Sequence, residues 1–374
     1  MSPTGNERPG QATSDRTPTG EPASAGPHAE GVGGRVLRAL LTQRLVLLAV
    51  LVVLVVVVMF ALDAAGRLSA SYNFDYMSAV LINAVPLTML ALAELVVIVS
   101  GRGGIDLSVG SIVSLAGMFF GFAYGLWGWS LPLALAATVV VGGLLGAVNG
   151  VLVAYLGFPP LIATLATYYA YWSLALVVNA QRPINSPPIQ GLYDLSRTVE
   201  LPLIGPYVPL VPFGVFLFLL PTVVVVWILV SRLLYGRSLY AIGTNDVAAM
   251  WAGLDVRRTR AWAFVVSGAI SGLVAVVTVS QFASARPDAG TAGNGMALPA
   301  ITIAVLGGVA ITGGIGRVAG VVLAALLVVW LDAGILLLVA GNIASQVQLL
   351  ALGVILVGAA LLNGVTSRRY GLST

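Results

Sequence analysis

Long apolar runs, separated by short polar segments, make up most of the chain after residue 44. Leu45–Leu62 is uncharged and long enough to cross a bilayer as one helix. Later runs of the same character are Tyr76–Ser100, Leu107–Trp127, Trp129–Leu156, Pro160–Asn179, Val211–Leu233, Ala261–Phe282, Leu298–Thr312, Val318–Val339 and Gln346–Leu362. The pattern predicts an all-α integral membrane protein with about ten transmembrane helices.

The polar segments divide the chain. Residues 1–34 are rich in Gly, Pro, Ser and Thr without apolar periodicity, which predicts a disordered cytoplasmic tail. The membrane domain is expected at residues 35–366, followed by a short cytoplasmic C-terminal tail at 367–374. Within that domain, an outer loop at residues 180–210 and an inner loop at residues 234–260 are long enough to have functions of their own. We favour an ordered cap over a flexible connector for the proline-rich outer loop.

The distribution of charge predicts the orientation. All 18 basic residues are Arg. If the N-terminus is cytoplasmic, ten spans place them all on the inner side except Arg67, Arg182, Arg197 and Arg286, as the positive-inside rule expects. With 59% hydrophobic and 9% charged residues, the chain is excluded from the class of water-soluble domains. Because ten is an even number of spans, this distribution of arginines predicts that both termini are cytoplasmic.

Missing residue types exclude several chemistries. The chain has no Cys and no Lys, and its single His, His28, lies in the polar tail. A Walker A motif requires Lys, so the chain does not bind ATP through that motif. Disulfides, Schiff-base lysines, thiol nucleophiles and His-ligated zinc are excluded on the same ground. We predict a chain that is not an enzyme and has no catalytic residue, metal site or cofactor of its own.

A glycine-rich turn with one carboxylate separates the second and third runs. Glycines permit a sharp turn there, and Asp106, placed before the next apolar run, is a predicted helix N-cap near the cytoplasmic interface, where it would be partly hydrated. The predicted hinge and cap consists of Gly103, Gly104, Asp106, Ser108 and Gly110. Two stripes of small residues predict faces packed against other helices: Gly110, Ser114, Gly117, Gly121 and Gly125, and later Gly142, Gly146 and Gly150.

The inner loop contains a predicted short helix, Val247–Ala252, which Gly253 would end. Thr244, Asn245 or Asp246 could cap its N-terminus. Such a helix exposes Val247, Met250 and Trp251 in the cytoplasm. An exposed apolar surface of this kind needs a partner, and we favour a groove on another protein over lipid headgroups.

Isolated polar residues lie within the apolar runs. An unpaired carboxylate such as Glu94 is costly in a bilayer, so it needs a partner or a proton. We favour structural hydrogen bonds to neighbouring helices for Glu94 and Asp332, and likewise for Asn83, Asn149 and Gln281. The alternative is a path for a hydroxylated solute, for which the candidates are Asn83, Glu94, Asn149, Gln281 and Asp332.

Four motifs resemble those of the permease subunits of ribose-type ATP-binding-cassette importers. They are GGIDLSVGSIVSLAG, NGVLVAYLGFPPLIATLATY, GRSLYAIGTNDVAAMWAGLDV and LGGVAITGGIGRVAGVVLAALL, in the expected order between about Tyr76 and Gly364. The resemblance implies a bacterial inner-membrane (plasma-membrane) dimer that imports a small polar solute, such as the monosaccharides ribose, xylose or galactose. An extracytoplasmic binding protein would deliver the solute, and separate ATPase subunits would bind MgATP.

The resemblance also assigns the short inner helix as a coupling helix that engages the ATPase. The matching residues are Gly243, Thr244, Asn245, Asp246, Ala248, Met250, Trp251 and Gly253. The second half departs from the family, since Ala297 and Pro299 stand where an acidic pair is usual, and Leu331–Gly334 lacks the usual Asn.

These departures leave the solute open, as well as the choice between a homodimer and a heterodimer. Alternatives are a permease for a nucleoside or a furanosyl quorum signal and, ranked lower, an ion-coupled secondary transporter that would use Glu94 and Asp332. A membrane-embedded enzyme ranks lowest, because carboxylates occur singly and clusters of His, Cys or Lys are absent.

Overall fold

The computed structural model describes residues 44–199, 210–293, 295–339, 341 and 343–370, and almost all regular structure there is helical. The tail predicted to be disordered, residues 1–34, lies outside the described residues, as do residues 200–209 of the outer loop and residues 371–374.

The described first half of the chain contains five long or medium helices and two short ones. Their bounds are α1 Arg44–Ala64, α2 Phe74–Ala79, α3 Leu81–Val99, α4 Val109–Phe120, α5 Leu131–Gly150, α6 Pro160–Val177 and α7 Pro187–Gln190. Wider π-helical turns, Gly121–Leu126 and Val151–Tyr155, extend α4 and α5, and a 3₁₀ turn, Gly191–Leu195, follows α7. A two-residue strand, β1 Thr198–Val199, pairs antiparallel with β2 Val211–Pro212.

The described second half of the chain is also mainly helical. A π-helical segment, Val215–Leu219, leads into α8 Leu220–Ser231. The later helices are α9 Leu234–Thr244, α10 Asp246–Trp251, α11 Val256–Phe282, α12 Ala297–Leu306, α13 Val318–Leu338 and α14 Ile343–Tyr370.

Seven helices in the described residues are long and apolar enough to cross a membrane, and an eighth span results if the pair Val215–Ser231 and Leu234–Thr244, bent by 66°, is counted as one. The remaining two predicted spans correspond to shorter apolar helices, Ala297–Leu306 and Ile343–Gly358. The all-α membrane class is thus confirmed, whereas the total of ten spans and the cytoplasmic termini stay predictions. The helix in the predicted run Leu298–Thr312 is short because Gly307 and Gly308 end it at Leu306.

The inner loop differs from its prediction, because most of it is helical. Helix α9 occupies Leu234–Thr244, and α11 begins at Val256, five residues before the predicted start at Ala261. Asp255 caps α11 by accepting a hydrogen bond from Arg258 N (2.9 Å). Helix α9 buries Leu239 and Ile242, whereas Arg237 is exposed and Ser238 is half-buried. Its composition is therefore mixed, and the sequence resembled that of a polar loop.

Helix α11 is central to the fold, since it packs along α3, α4 and α5. The stripe on α5 fits against it: a Cβ at Gly146 would overlap Phe264 O, and one at Gly150 would lie 2.8 Å from Ala261 O. The stripe on α4 is also buried, with Gly117 facing α11 and Gly121 facing Ala285. Both predicted packing faces are therefore confirmed.

The described part of the outer loop is ordered and packed. Ile184 pairs with Ala285 in an isolated β-bridge, and Ile189 and Leu192 are buried in a cluster with the outer end of α4. For residues 180–199, a packed structure is found rather than a flexible connector. The role of this segment as a cap over an outer mouth stays a prediction.

Candidate functional site

The predicted short inner helix is present as α10. Asn245 is its N-cap, and Asn245 Oδ1 accepts a hydrogen bond from Ala248 N (2.9 Å). Gly253 follows the helix at φ +84°, a conformation that favours glycine. Val247, Met250 and Trp251 are 60%, 57% and 82% exposed. The helix and its exposed apolar surface are confirmed, while its contact with an ATPase stays a prediction.

The other two capping candidates have different roles. Thr244 Oγ1 donates to Tyr240 O (2.9 Å) within α9. The Asp246 carboxylate accepts a hydrogen bond from Arg260 Nη2 (2.6 Å), and Arg102 Nε lies 2.7 Å from its second oxygen. Arg260 is only 3% exposed and also donates to Ser100 O (3.1 Å). Asp246, a predicted coupling residue, is therefore joined to the glycine hinge, a connection that the sequence did not reveal.

The glycine hinge, which in the structure also includes Gly101 and Arg102, contains three consecutive residues with left-handed backbone. Gly101, Arg102 and Gly103 have φ values of +82°, +57° and +64°. A Cβ at Gly104 would lie 2.7 Å from Val97 O, and one at Gly110 would overlap Gly290 O. The predicted hinge glycines are thus required by backbone conformation or by close packing.

Three main-chain segments meet beside the hinge. Gly314 N donates to Val99 O (3.0 Å), and a Cβ at Gly243 would lie 2.5 Å from Gly314 N. A Cβ at Gly101 would lie 2.9 Å from Gly243 Cα. We call this contact of Gly101, Gly243, Gly313 and Gly314 the glycine junction. The repeated GGI sequence at Gly103 and Gly313 is the signal that could have pointed to it.

Asp106 differs from its prediction in two respects. The N-cap position of α4 is Ser108, and Asp106 is completely buried rather than partly hydrated. Asp106 Oδ1 accepts from Ser108 N (3.0 Å) and Ser108 Oγ (2.6 Å), and Asp106 Oδ2 accepts from Ser267 Oγ (3.1 Å). Burial raises the pKa of the Asp106 carboxyl, while the hydrogen bonds from Ser108 and Ser267 lower it. Donors from neighbouring elements take the place of water.

The hydrogen bonds continue from Asp106 and Ser108 to residues of α5 and α6. Asn149 Nδ2 donates to Ser108 Oγ (2.8 Å) and lies 3.5 Å from Asp106 Oδ1, and Thr167 Oγ1 donates to Asn149 Oδ1 (2.7 Å). Glu94 Oε2 accepts from Asp106 N (3.3 Å), whereas Glu94 Oε1 is buried without a partner. We call this group the polar cluster: Glu94, Asp106, Ser108, Asn149, Thr167 and Ser267.

The five candidate path residues lie in three separate places. Glu94 and Asn149 belong to the polar cluster. Gln281 Nε2 donates to Ile82 O (2.7 Å), and Asn83 is exposed next to that contact. Asp332 is partly buried, and its main-chain oxygen accepts from Gln348 Nε2 (2.9 Å). Asn149 and Gln281 make interhelical hydrogen bonds, which was the structural alternative, and a solute contact for any of the five stays a prediction.

Among the described residues, no group of three or more metal-ligating side chains is placed to hold a metal ion. The hydroxyl groups of Thr167 and Ser267, and the buried Arg260, are the site residues that the sequence analysis missed. Ser and Thr are common in membrane helices, and their positions relative to Asp106 become apparent only when α4, α6 and α11 are packed together.

The polytopic helical fold, with its exposed and capped short helix α10, fits a membrane transport subunit. The chain belongs to the family described as branched-chain amino acid transport system / permease component, which matches residues 76–362. The resemblance to permeases of sugar-type ATP-binding-cassette importers is thereby confirmed, and the protein is an inner-membrane permease.

Similar proteins include the autoinducer 2 import system permease proteins LsrD of two bacteria. The protein of Yersinia enterocolitica is 37% identical over 254 residues, which cover 67% of this chain and 71% of that protein. The protein of Klebsiella pneumoniae is 36% identical over 271 residues, which cover 72% of this chain and 77% of that protein. No solved structure matches the chain.

Proposed function

We propose that this chain is the permease subunit of an ATP-driven importer that moves a small hydroxylated solute into the cell. The observation that carries the proposal is the exposed coupling helix α10, whose Trp251 is 82% exposed on a chain that lacks its own nucleotide-binding motif. Exposed aromatic residues of this kind are typical anchors of a protein interface. ATP hydrolysis is therefore assigned to separate subunits that bind MgATP.

The assembly is proposed to contain a second permease chain, ATPase subunits and an extracytoplasmic binding protein. For the solute, we propose the furanosyl signal class, because the similar proteins of Yersinia and Klebsiella are named as autoinducer 2 import permeases. A monosaccharide is the second candidate, favoured by the four motifs shared with ribose-type permeases. Both solute classes are small and rich in hydroxyl groups.

The energy source is tested by uptake into cells that express the chain with its ATPase subunits and binding protein. We expect uptake to require ATP and to persist when an uncoupler collapses the proton gradient while ATP is held constant. Uptake that stops with the gradient at unchanged ATP would instead support an ion-coupled secondary transporter.

The solute is tested in the same cells by competition. Labelled autoinducer 2 and, in parallel, labelled ribose, xylose or galactose are each supplied with an excess of unlabelled autoinducer 2 or of one of the three sugars. The proposal expects uptake that only unlabelled autoinducer 2 suppresses strongly. Uptake of a labelled sugar, with no effect of autoinducer 2, would assign the chain to the monosaccharide class.

A further inference from the structure

We propose that Asp246 and Arg260 are positioning residues that transmit movement of the coupling helix α10 to the glycine hinge, which keeps solute movement linked to ATP hydrolysis. We call Asp246, Arg260, Arg102 and the main-chain oxygen of Ser100 the clamp. The proposal rests on the proposed function, since it assumes that an ATPase moves α10.

The first step is the buried cation. Arg260 lies in the first turns of α11 and is 3% exposed. Its Nη2 lies 2.6 Å from Asp246 Oδ1 and 3.1 Å from Ser100 O, so a single nitrogen joins the coupling helix to the end of α3. A guanidinium stays charged at any physiological pH, and a buried charge without a counter-ion is costly. Movement of Asp246 away from Arg260 is therefore opposed, and the two should move together.

The second step is the hinge itself. The same carboxylate lies 2.7 Å from Arg102 Nε through its other oxygen, and Arg102 is the hinge residue with φ +57°. Because Arg102 is 68% exposed, its ion pair is screened by water and contributes less than that of Arg260. Asp246 nevertheless connects two elements at once: α11 through Arg260 and the hinge through Arg102.

The third step is the close contact between main-chain segments at the glycine junction. At the glycine junction, Gly243 precedes the coupling helix and touches the main chains of Val99 and Gly314 so closely that a Cβ would not fit. Tyr240 Oη adds a hydrogen bond from α9 to Gly316 O (2.7 Å). Backbone segments in van der Waals contact cannot move past each other independently, so a push on α10 reaches both glycine turns.

The last step leads into the membrane domain. The hinge continues through Gly104 and Ile105 to Asp106, which is hydrogen-bonded to residues of α4 and α11. Glu94 of α3 accepts from Asp106 N (3.3 Å), so the end of the hinge is tied back to the helix that precedes it. The clamp, the hinge and the polar cluster therefore form a contiguous connection from the cytoplasmic surface to the interior of the helix bundle.

The test compares variants of the full complex, with its ATPase subunits and binding protein, in proteoliposomes. The variants are Asp246→Asn, Arg260→Gln and Arg102→Ala, and the matched control is Arg257→Gln, which removes a neighbouring exposed arginine from the same helix. Three quantities are measured: retention of the ATPase, ATP hydrolysis, and uptake of whichever probe the parent transports among autoinducer 2, ribose, xylose and galactose. The ratio of uptake to ATP hydrolysed reports the coupling.

We expect Asp246→Asn and Arg260→Gln to retain the ATPase and its hydrolysis while the ratio falls by about tenfold or more, a usual size for coupling between sites. Arg102→Ala, whose exposed side chain is not needed for folding, should reduce the ratio by about threefold. Arg257→Gln should match the parent. If Asp246→Asn or Arg260→Gln does not insert, the Arg102→Ala ratio decides the outcome.

The proposal is overturned by an unchanged ratio in Asp246→Asn and Arg260→Gln, or in Arg102→Ala where that variant decides. It is also overturned if these variants lose the ATPase, which would make the clamp part of the docking surface, or if Arg257→Gln lowers the ratio equally. Failure of the proposed function looks different, because the parent itself would then show no ATP-dependent uptake of any probe.

Discussion

The two carboxyl groups of the polar cluster have different surroundings. Asp106 accepts hydrogen bonds from Ser108 and Ser267, with Asn149 Nδ2 3.5 Å away, whereas Glu94 accepts one from Asp106 N and has a second oxygen without a partner. An acceptor at position 106 is therefore needed by several buried donors, while position 94 needs one acceptor only. Substitutions should affect the two positions differently.

For Asp106, we expect Asn to preserve most function and Leu to abolish it. The amide oxygen can still accept from Ser108 N and Oγ, whereas Leu leaves buried donors unpaired and should lower the free energy of unfolding by about 3 kcal/mol. Thermal unfolding in detergent and uptake in cells measure the two effects. Equal behaviour of the two variants would show that the hydrogen bonds of Asp106 do not matter.

For Glu94, we expect Gln to change the free energy of unfolding by no more than about 1 kcal/mol, because the amide oxygen can still accept from Asp106 N. Uptake should also persist. The measurements are the membrane level and the uptake rate, with Glu94→Leu as a variant that removes the acceptor. Loss of uptake in Glu94→Gln at a normal membrane level would indicate that the carboxyl group changes its protonation during transport.

Single residues were predictable where their type is unusual for their surroundings. A carboxylate inside an apolar run indicated Glu94, and a carboxylate between a glycine turn and an apolar run indicated Asp106. Asn245 was one of three candidates for the cap of the short inner helix, together with Thr244 and Asp246. Partners were not predictable, because Arg260 meets Ser100 from 160 positions away and Ser267 meets Asp106 from 161. Asp106 was expected to be hydrated because Arg102 closely precedes it and the helix after it was predicted to run outward from the cytoplasmic interface, whereas α11 covers it.

Among the elements, α10 offers the most direct test of function. Trp251→Asp should abolish uptake while insertion stays normal, because a charge placed in an apolar groove of a partner is costly, and loss of such an anchor weakens binding by about 2 kcal/mol or more. Co-purification of the ATPase and uptake are measured together. Ala252→Ser, a small change at an exposed position directly after α10 and outside the predicted coupling residues, is the control. Normal uptake by Trp251→Asp with bound ATPase would contradict the role of α10.

The two glycine stripes lead to a second prediction, because the space available to an added Cβ differs between them. A Cβ at Gly146 would overlap Phe264 O, whereas a Cβ at Gly117 would lie 3.7 Å from Val279 Cγ2, an ordinary contact. Gly146→Ala should therefore lower the free energy of unfolding by about 2 kcal/mol, and Gly117→Ala should leave it almost unchanged. Thermal unfolding of the two purified variants decides, and equal midpoints would refute the packing of α5 on α11.

Elements were predicted well where apolar runs are long and uninterrupted, as in α1, α5 and α13. Prediction was poorer at short or mixed segments. Helix α9 was missed because Arg237 and Ser238 interrupt its apolar pattern, and α12 is shorter than its run because Gly307 and Gly308 end it. The short strands β1 and β2 depend on a pairing across the outer loop that local sequence does not encode.

For the whole molecule, the orientation can be tested with single cysteines, because the chain has none of its own. Val247→Cys on α10 and Tyr193→Cys on the outer loop are both exposed positions. A membrane-impermeant maleimide should label Tyr193→Cys in intact cells and Val247→Cys only after the membrane is opened. The reverse pattern would invert the predicted orientation.

The central position of α11 has a consequence for biosynthesis. The glycine stripe on α5 forms a groove that α11 fills. This stripe is synthesised long before α11 leaves the ribosome, since Gly146 precedes Gly268 by more than a hundred residues. At usual rates of translation, α5 waits on the order of ten seconds for the helix that fills its groove. The nascent first half must therefore be kept from wrong helix partners during that interval, and its final packing is completed from the second half of the chain.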